Sequence, residues 1–283
     1  LRYEVAVDLL KELNNEKTFK GGFKLEHQVT TLPSITSFGM ASLLPNEKIS
    51  YKDKQVYVDD MPTNTTEARD KVLKKYSNSY AAIQYENIMK MNVAELRAYM
   101  SDKSCLYIYH DTIDNAGEHD FDVFEACNKA VKEIFDCVKK VYNTLQTSFY
   151  TITSDHGFIY RNKKIDESSK YPTLTPLGLD DYSQRYAIIS DTTELNDSNI
   201  FDMNYLNDCN MKVYTPYSYD LYRKQGGGIQ YIHGGASIQE MVTPIISSSG
   251  MFTINALMSE PVKVRLKSTN RKIMNKSFSL QFE

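Results

Sequence analysis

The sequence predicts an α/β fold, a mostly parallel central sheet with helices on both faces and a short β-rich segment at the end, and three observations carry that prediction. Short apolar runs of strand length alternate with amphipathic runs of helical period along most of the 283 residues. One long stripe, formed by Phe124, Cys127, Val131, Ile134, Val138, Val141 and Leu145, keeps a single apolar face over 121–145, as a core-facing helix requires. Residues with metal- or phosphate-binding side chains follow directly after several of the strand-like runs, and the carboxyl ends of strands are where open α/β sheets bind ligands.

Taken in order, Val5, Ala6, Leu9, Leu10 and Leu13 stand at helical spacing, so the chain is expected to open inside a helix over 2–13. It has no initiating Met, and with the opening helix this predicts a fragment whose preceding strand lies outside it. Residues 24–29 read as a short strand, 41–44 as part of a short helix after a Pro-containing loop, and 55–58 as strand. Asn92 and Glu95 have the spacing of a capping box and predict a helix reaching about Met100. Residues 105–109 and 148–153 are apolar strands on either side of the long helix. A polar segment over 163–181, rich in Lys, Pro, Ser and Asp, interrupts the alternation and is read as an inserted loop. Strands are expected at 186–189 and 211–214, the run 229–232 leads into His233, and 237–241 form a helical turn before a strand over 242–247. After Gly250 the apolar runs 251–257, 261–266 and 277–282 have no helices between them. The expected organisation is therefore an α/β domain over 1–250 and the start of a C-terminal β element or domain over 251–283.

Composition narrows the function. With 41% hydrophobic and 24% charged residues the chain is able to bury a sizeable core. No apolar run approaches the roughly 18 residues of a membrane span and no secretory h-region opens the chain, so a cytoplasmic home without a membrane partner is the expectation. Cys105, Cys127, Cys137 and Cys209 show no C-x-x-C spacing and are read as reduced structural thiols. The formal charge of −3 gives no basic field for gripping a nucleic-acid backbone, so a phosphate substrate would take much of its counter-charge from metal ions.

Four places carry residues suited to such chemistry. Thr153 to Gly157 place Asp155 and His156 side by side after a strand, with Gly157 allowing a sharp turn. Residues 32–41 set hydroxyls, Thr36 among them, at the mouth of a helix, where they serve as caps or as a nucleophile. Residues 110–119 follow strand 105–109, and the spacing of Asp114 and Glu118 puts both carboxylates on one face of a helical turn. His233 is followed by two glycines and preceded by Gly226, Gly227 and Gly228. Each place also has an ordinary reading, respectively a capped turn, a hydroxyl N-cap, a solvated helix start and a polar residue in a glycine turn; their joint occurrence after successive strands favours a site. Tyr214, Tyr217, Tyr219 and Tyr222, near His233 in sequence, are read as packing residues or as a surface that stacks bases.

The blocks LRYEVA, LPSITSFGMASLLP, YIYHDTIDNAGE, TSDHGF and YIHGGASIQEMVTPII stand in the order and approximate spacing of PglZ-domain proteins, and over nearly its whole length the chain resembles the PglZ component of bacteriophage exclusion (BREX) systems. The resemblance implies an alkaline phosphatase-like fold with two divalent ions about 4 Å apart, suited to clamping a phosphoryl group. It implies that Thr36 is the nucleophile and a metal ligand, that Asp155 and His156 complete most of the same ion's shell, and that Asp114, Glu118 and His233 hold the second ion. Zinc is the first expectation for both. Glu118 stands where the superfamily commonly has His, and a carboxylate there hardens the site and brings manganese or magnesium into range. A further Asp ligand is implied at the end of the preceding strand, just before residue 1. The implied activity is hydrolysis of phosphoesters, monoester, diester or DNA, within an anti-phage defence system whose other subunits are the expected partners. The alternative is a noncatalytic scaffold that keeps the fold. Short insertions without a separate cap domain argue against a phosphomutase.

Overall fold

The computed structural model describes residues 1–248 apart from 20, 119–121, 148, 162–169, 175–177, 191–194, 196, 208 and 225–229. Contacts divide the chain between Met251 and Phe252, and the β-rich segment expected over 251–283 lies outside the described residues.

The apolar spacing at the start of the chain becomes helix α1 (Tyr3–Asn15), which buries Ala6, Leu9 and Leu13. Strand β1 (Phe23–Val29) follows, then a loop holding Pro33, then the short helix α2 (Thr36–Ser42), of which Thr36 is the first residue. Strands β2 (Ile49–Lys52), β3 (Gln55–Val58) and β4 (Met61–Pro62) fold back on one another as a small antiparallel sheet. Helix α3 (Thr66–Tyr76) starts at Thr65, whose hydroxyl accepts from the Ala68 amide, and leads to β5 (Tyr80–Gln84). After α4 (Tyr85–Lys90), helix α5 (Val93–Met100) begins at the capping box read from the sequence: the Asn92 side chain accepts from the Glu95 amide and the Glu95 carboxylate from the Asn92 amide. Strand β6 (Cys105–Tyr109) delivers the chain to α6 (Thr112–Glu118) and the long helix α7 (Val123–Leu145). Asp122 caps α7 by accepting from the Phe124 and Glu125 amides. Phe124 departs from the predicted core stripe. It lies in the first turn, 64% exposed, with its ring edge-on to Tyr160.

Strands β7 (Thr151–Thr153) and β8 (Ile159–Tyr160) flank the Asp155-His156 turn. The segment expected to be an inserted loop contributes β9 (Lys170–Thr173) and β10 (Leu179–Tyr182) instead. Its acidic residues make it read as loop, yet Asp180 accepts from the Tyr51 hydroxyl at 2.6 Å and Asp181 from the Tyr186 hydroxyl at 2.8 Å, so the polar strand is anchored by one partner far away in sequence and one close by. Strands β11 (Ala187–Ser190), β12 (Ser198–Asp202) and β13 (Met211–Pro216) complete an antiparallel sheet in the order β10-β11-β13-β12. The chain ends its described course with β14 (Leu221–Arg223), β15 (Tyr231–Ile232), α8 (Ile238–Met241) and β16 (Val242–Ser248).

The ladders are mixed where a mostly parallel sheet was expected. Strands β5 and β6, and β9 and β14, pair in parallel, while β16 enters between β1 and β7 and runs against both. The apolar faces of α1 and α7 meet this β1-β16-β7 sheet around Leu9, Leu13, Phe19, Phe23, Val138 and Ile246. A second cluster, with Phe38, Val58, Leu73, Ile188 and Val213 in it, fixes α2 against the small sheet, α3 and the later antiparallel sheet. These two cores bring the ends of β6, β7 and β15 and the start of α2 to one place.

Candidate metal centre

Close backbone packing sets the position of each functional side chain. A Cβ on Gly39 would lie 2.4 Å from the Asp155 carbonyl oxygen, so only glycine lets α2 approach the Asp155-His156 turn this closely. From the other side Gly157 donates its amide to the Glu240 carbonyl at 2.8 Å, and the Thr30 hydroxyl donates to the Asp155 carbonyl. The Ser154 hydroxyl donates to the His156 carbonyl at 2.7 Å. The turn is held on three sides before any side-chain chemistry begins.

His156 is buried, and its Nδ1–H donates to the Gly157 carbonyl at 2.9 Å, which leaves the Nε2 lone pair facing the site. The Thr36 hydroxyl lies 3.1 Å from that nitrogen and donates to it. Asp155 Oδ2 is 3.4 Å from His156 Nε2, and Asp114 Oδ2 is 3.8 Å from it. One ligand atom from each of Asp114, Asp155 and His156 lies within 4.8 Å of the others. The His233 ring stacks on His156 with centroids 4.2 Å apart and planes 9° from parallel, and its Nδ1–H donates to the Ser34 carbonyl at 3.3 Å.

Burial first, and then His156 beside it, holds His233 down at about 4 despite the opposing carboxylates, so its imidazole is neutral near pH 7. Burial pushes the Asp114 carboxyl up, but its neighbours, His156 first, and the hydrogen bond from the Tyr231 hydroxyl bring it below its ordinary value. The decisive observation is Asp155 Oδ2, which is buried and has no hydrogen-bond partner. An ionised oxygen in that state is costly unless a cation meets it. Two carboxylates and an imidazole lone pair converging on that oxygen form a donor set that fits a divalent ion.

Five of the six residues singled out in the sequence therefore meet: Thr36, Asp155 and His156 in direct contact, Asp114 beside them, and His233 stacked on His156. A ligand atom of Asp114 lies within 4.8 Å of those of Asp155 and His156. The Glu118 side chain lies outside the described ones. Tyr231 was not singled out, yet its hydroxyl donates to Asp114. Strand alternation is the signal that points to it, since Tyr231 and His233 are two apart and share a face. Ser34, another hydroxyl of the 32–41 stretch, holds the glycine turn after His233: its buried hydroxyl donates to the Gly235 carbonyl at 2.8 Å and accepts from the Gly234 amide at 3.2 Å. The tyrosine cluster divides: Tyr214 and Tyr222 are buried, while Tyr217 and Tyr219 are exposed.

Fold and site together define an alkaline phosphatase-like α/β protein. Two structures of murine ectonucleotide pyrophosphatase/phosphodiesterase 5, one of them an inactive variant in complex with AMP, match the chain with TM-scores of 0.54 and 0.52, each at 8% identity over 87% of this chain and 85% of the other. Likeness at that identity speaks for the fold alone. The chain belongs to the family described as the BREX system PglZ alkaline phosphatase-like domain, whose model matches residues 1–248. It is 35% identical to the alkaline phosphatase-like protein PglZ of Bacillus cereus (strain H3081.97) over 289 residues, covering 100% of this chain and 34% of that protein. It is 32% identical to the alkaline phosphatase-like protein BrxZ of Escherichia coli O9:H4 (strain HS) over 267 residues, covering 87% of this chain and 29% of that protein. The chain thus spans about a third of the length of the curated relatives it matches. No helix among the described residues is long and apolar enough to cross a membrane.

Proposed function

We propose that this domain is a metal-dependent phosphoester hydrolase of a BREX-type anti-phage defence system, with Thr36 as its nucleophile. The observation that carries the reading is the 3.1 Å contact between the Thr36 hydroxyl and His156 Nε2, next to a buried carboxylate oxygen that lacks a partner. Asp155, His156 and Asp114 would hold one divalent ion with Thr36, and His233 and Glu118 would serve a second. Zinc, or else manganese or magnesium, would supply the positive charge that stabilises a deprotonated threonine oxygen and offsets charge on the phosphoryl oxygens.

The chain's own residues do the rest. The Thr36 hydroxyl, set beside His156, gives its proton to water and its oxygen attacks phosphorus, while the ester alcohol leaves with the bonding electron pair and takes up a proton from water. Water then hydrolyses the threonyl phosphate and restores the hydroxyl. The name of the murine fold relative, a pyrophosphatase/phosphodiesterase, and the defence setting both favour a phosphodiester, DNA included, as substrate. Other BREX subunits are the proposed partners, and the cytoplasm the proposed location.

The test is hydrolysis of bis(p-nitrophenyl) phosphate by the purified protein after metal analysis. Thr36→Ala is expected to lower kcat by about a thousandfold or more with its thermal unfolding transition intact. Undiminished hydrolysis by this variant would remove Thr36 from the reaction. Full phage protection by the Thr36→Ala protein would instead make the domain a noncatalytic scaffold.

A further inference from the structure

Helix α7 presents a carboxylate to the short helix that bears Asp114. Glu133 Oε2 accepts from the Thr112 hydroxyl at 2.6 Å and from His110 Nε2–H at 2.8 Å, so a single oxygen takes both bonds. His110 directly follows β6 and Thr112 is the first residue of α6, so the two donors straddle the turn that leads into the helix. The His110 and Glu133 side chains are 13% and 21% exposed, and the Lys129 ammonium stands 3.6 Å from the other Glu133 oxygen. Burial pushes the Glu133 carboxyl up, but the hydrogen bonds from Thr112 and His110 bring it below its ordinary value. The Tyr85 ring packs edge-on against His110 with centroids 5.0 Å apart, which limits the imidazole to this orientation.

A hydroxyl, an imidazole and a carboxylate together invite comparison with a catalytic relay, and the geometry rules that out. A relay sets the hydroxyl at one ring nitrogen and the carboxylate at the other. Here Thr112 and Glu133 both lie at Nε2, at 3.2 and 2.8 Å. The arrangement is a clamp.

What the clamp holds is α6. That helix has seven residues, too few to be stable without tertiary contacts, and Asp114 lies two residues, about 3 Å of helical rise, beyond Thr112. On α7, Ala130 and Glu133 are three apart and share a face. Ala130 packs with Ile113 of α6 in one apolar cluster, and Glu133 adds the polar bonds at the start of the helix. We propose that Glu133 is a positioning residue which, through Thr112 and His110, sets where Asp114 presents its carboxylate to a divalent ion. The inference rests on the reading of Asp114 as a metal ligand.

Manganese binding by the purified protein, followed by isothermal titration calorimetry without substrate, tests it. Asp114→Asn is expected to lose most of the binding. Glu133→Ala is expected to raise the dissociation constant for manganese about tenfold or more, and Thr112→Val, which removes one of the two bonds, to raise it by less. Glu133→Gln is the conservative variant: its amide oxygen has lone pairs for both donors, and its affinity is expected to stay within about threefold of the parent's. Val138→Ala thins the core between α7 and α1, away from α6, and is expected to lower stability with manganese affinity unchanged. Parent-like affinity in Glu133→Ala and Thr112→Val, with binding lost in Asp114→Asn, overturns the assignment alone. Equal losses in Glu133→Gln and Glu133→Ala overturn it too, since charge rather than position would then be the cause. A comparable loss in Val138→Ala reduces the clamp to a part of the fold's stability and overturns it as well. Undiminished binding in Asp114→Asn overturns the metal-ligand reading and the assignment with it.

Discussion

At the scale of single residues, Asp155 carries the strongest expectation. Its carboxylate is 6% exposed, one oxygen has no hydrogen-bond partner, and its neighbours are Asp114 and an imidazole lone pair. An arrangement that burdens the metal-free fold in this way is relieved by a cation, and a ligand that binds only the folded state raises stability by about 2.7 kcal/mol at a hundred times its dissociation constant. Zinc or manganese is therefore expected to raise the melting temperature of the protein over its value in EDTA, and Asp155→Asn to lose most of that rise while melting no lower than the parent in EDTA. Equal metal-induced shifts in the two proteins would show that Asp155 holds no ion. Asp155 and His156 were legible in the sequence because they adjoin each other and a turn-forming glycine. Tyr231 was not, because its role depends on Asp114, 117 residues away, and no local pattern encodes a contact of that separation.

At the scale of elements, the turn between β3 and β4 shows how a short element is held. Asp59 and Asp60 both have positive φ, 50° and 65°, as a tight two-residue hairpin turn requires. The Asp59 carboxylate accepts from the amides of Glu47 at 3.0 Å and Lys48 at 2.9 Å, from the Tyr76 hydroxyl, and from Lys75 at 3.1 Å. Burial pushes this carboxyl up, but those hydrogen bonds prevail and hold it at about 2. A carboxyl that is more acidic in the folded than in the unfolded chain contributes stability above about pH 4 and loses it as the pH falls toward 2. Asp59→Asn is expected to cost about 1–3 kcal/mol at neutral pH and to flatten the acid limb of stability over that window; urea titrations across the pH range check both, and a parallel acid limb in the variant would reject the assignment. Elements of this scale were unevenly legible. Helix α5 was written in its capping box and α7 in its stripe, whereas α3 buries only Thr66, Arg69, Val72 and Leu73 and has too thin an apolar face to announce itself. The antiparallel entry of β16 was not legible: its pairing with β1 and β7 joins residues about 90 or more apart, and the order of elements does not contain it.

At the scale of the whole molecule, Arg185 and Glu240 join the later antiparallel sheet to the strand and turn that bear His233. Both side chains are fully buried, at 1% and 0% exposure, and they meet through two hydrogen bonds of 3.0 and 2.8 Å. Glu240 also accepts from the Gly235 amide at 2.9 Å and from the amide and hydroxyl of Ser237, so one carboxylate holds both the glycine turn after His233 and the start of α8. A Cβ on Gly235 would come within 2.7 Å of the guanidinium, which ties that glycine to the pair. Removing one partner leaves a buried charge uncompensated, and Glu240→Gln is expected to cost about 3–5 kcal/mol in chemical denaturation. Arg185→Met combined with Glu240→Leu is expected to recover a large part of that loss, because replacing both charges with apolar groups removes the unpaired guanidinium. The recovered double variant should still hydrolyse phosphodiesters poorly, since it lacks the carboxylate that fixes the turn beside His233. Stability and activity restored together would confine the pair to folding and take from it any part in placing His233.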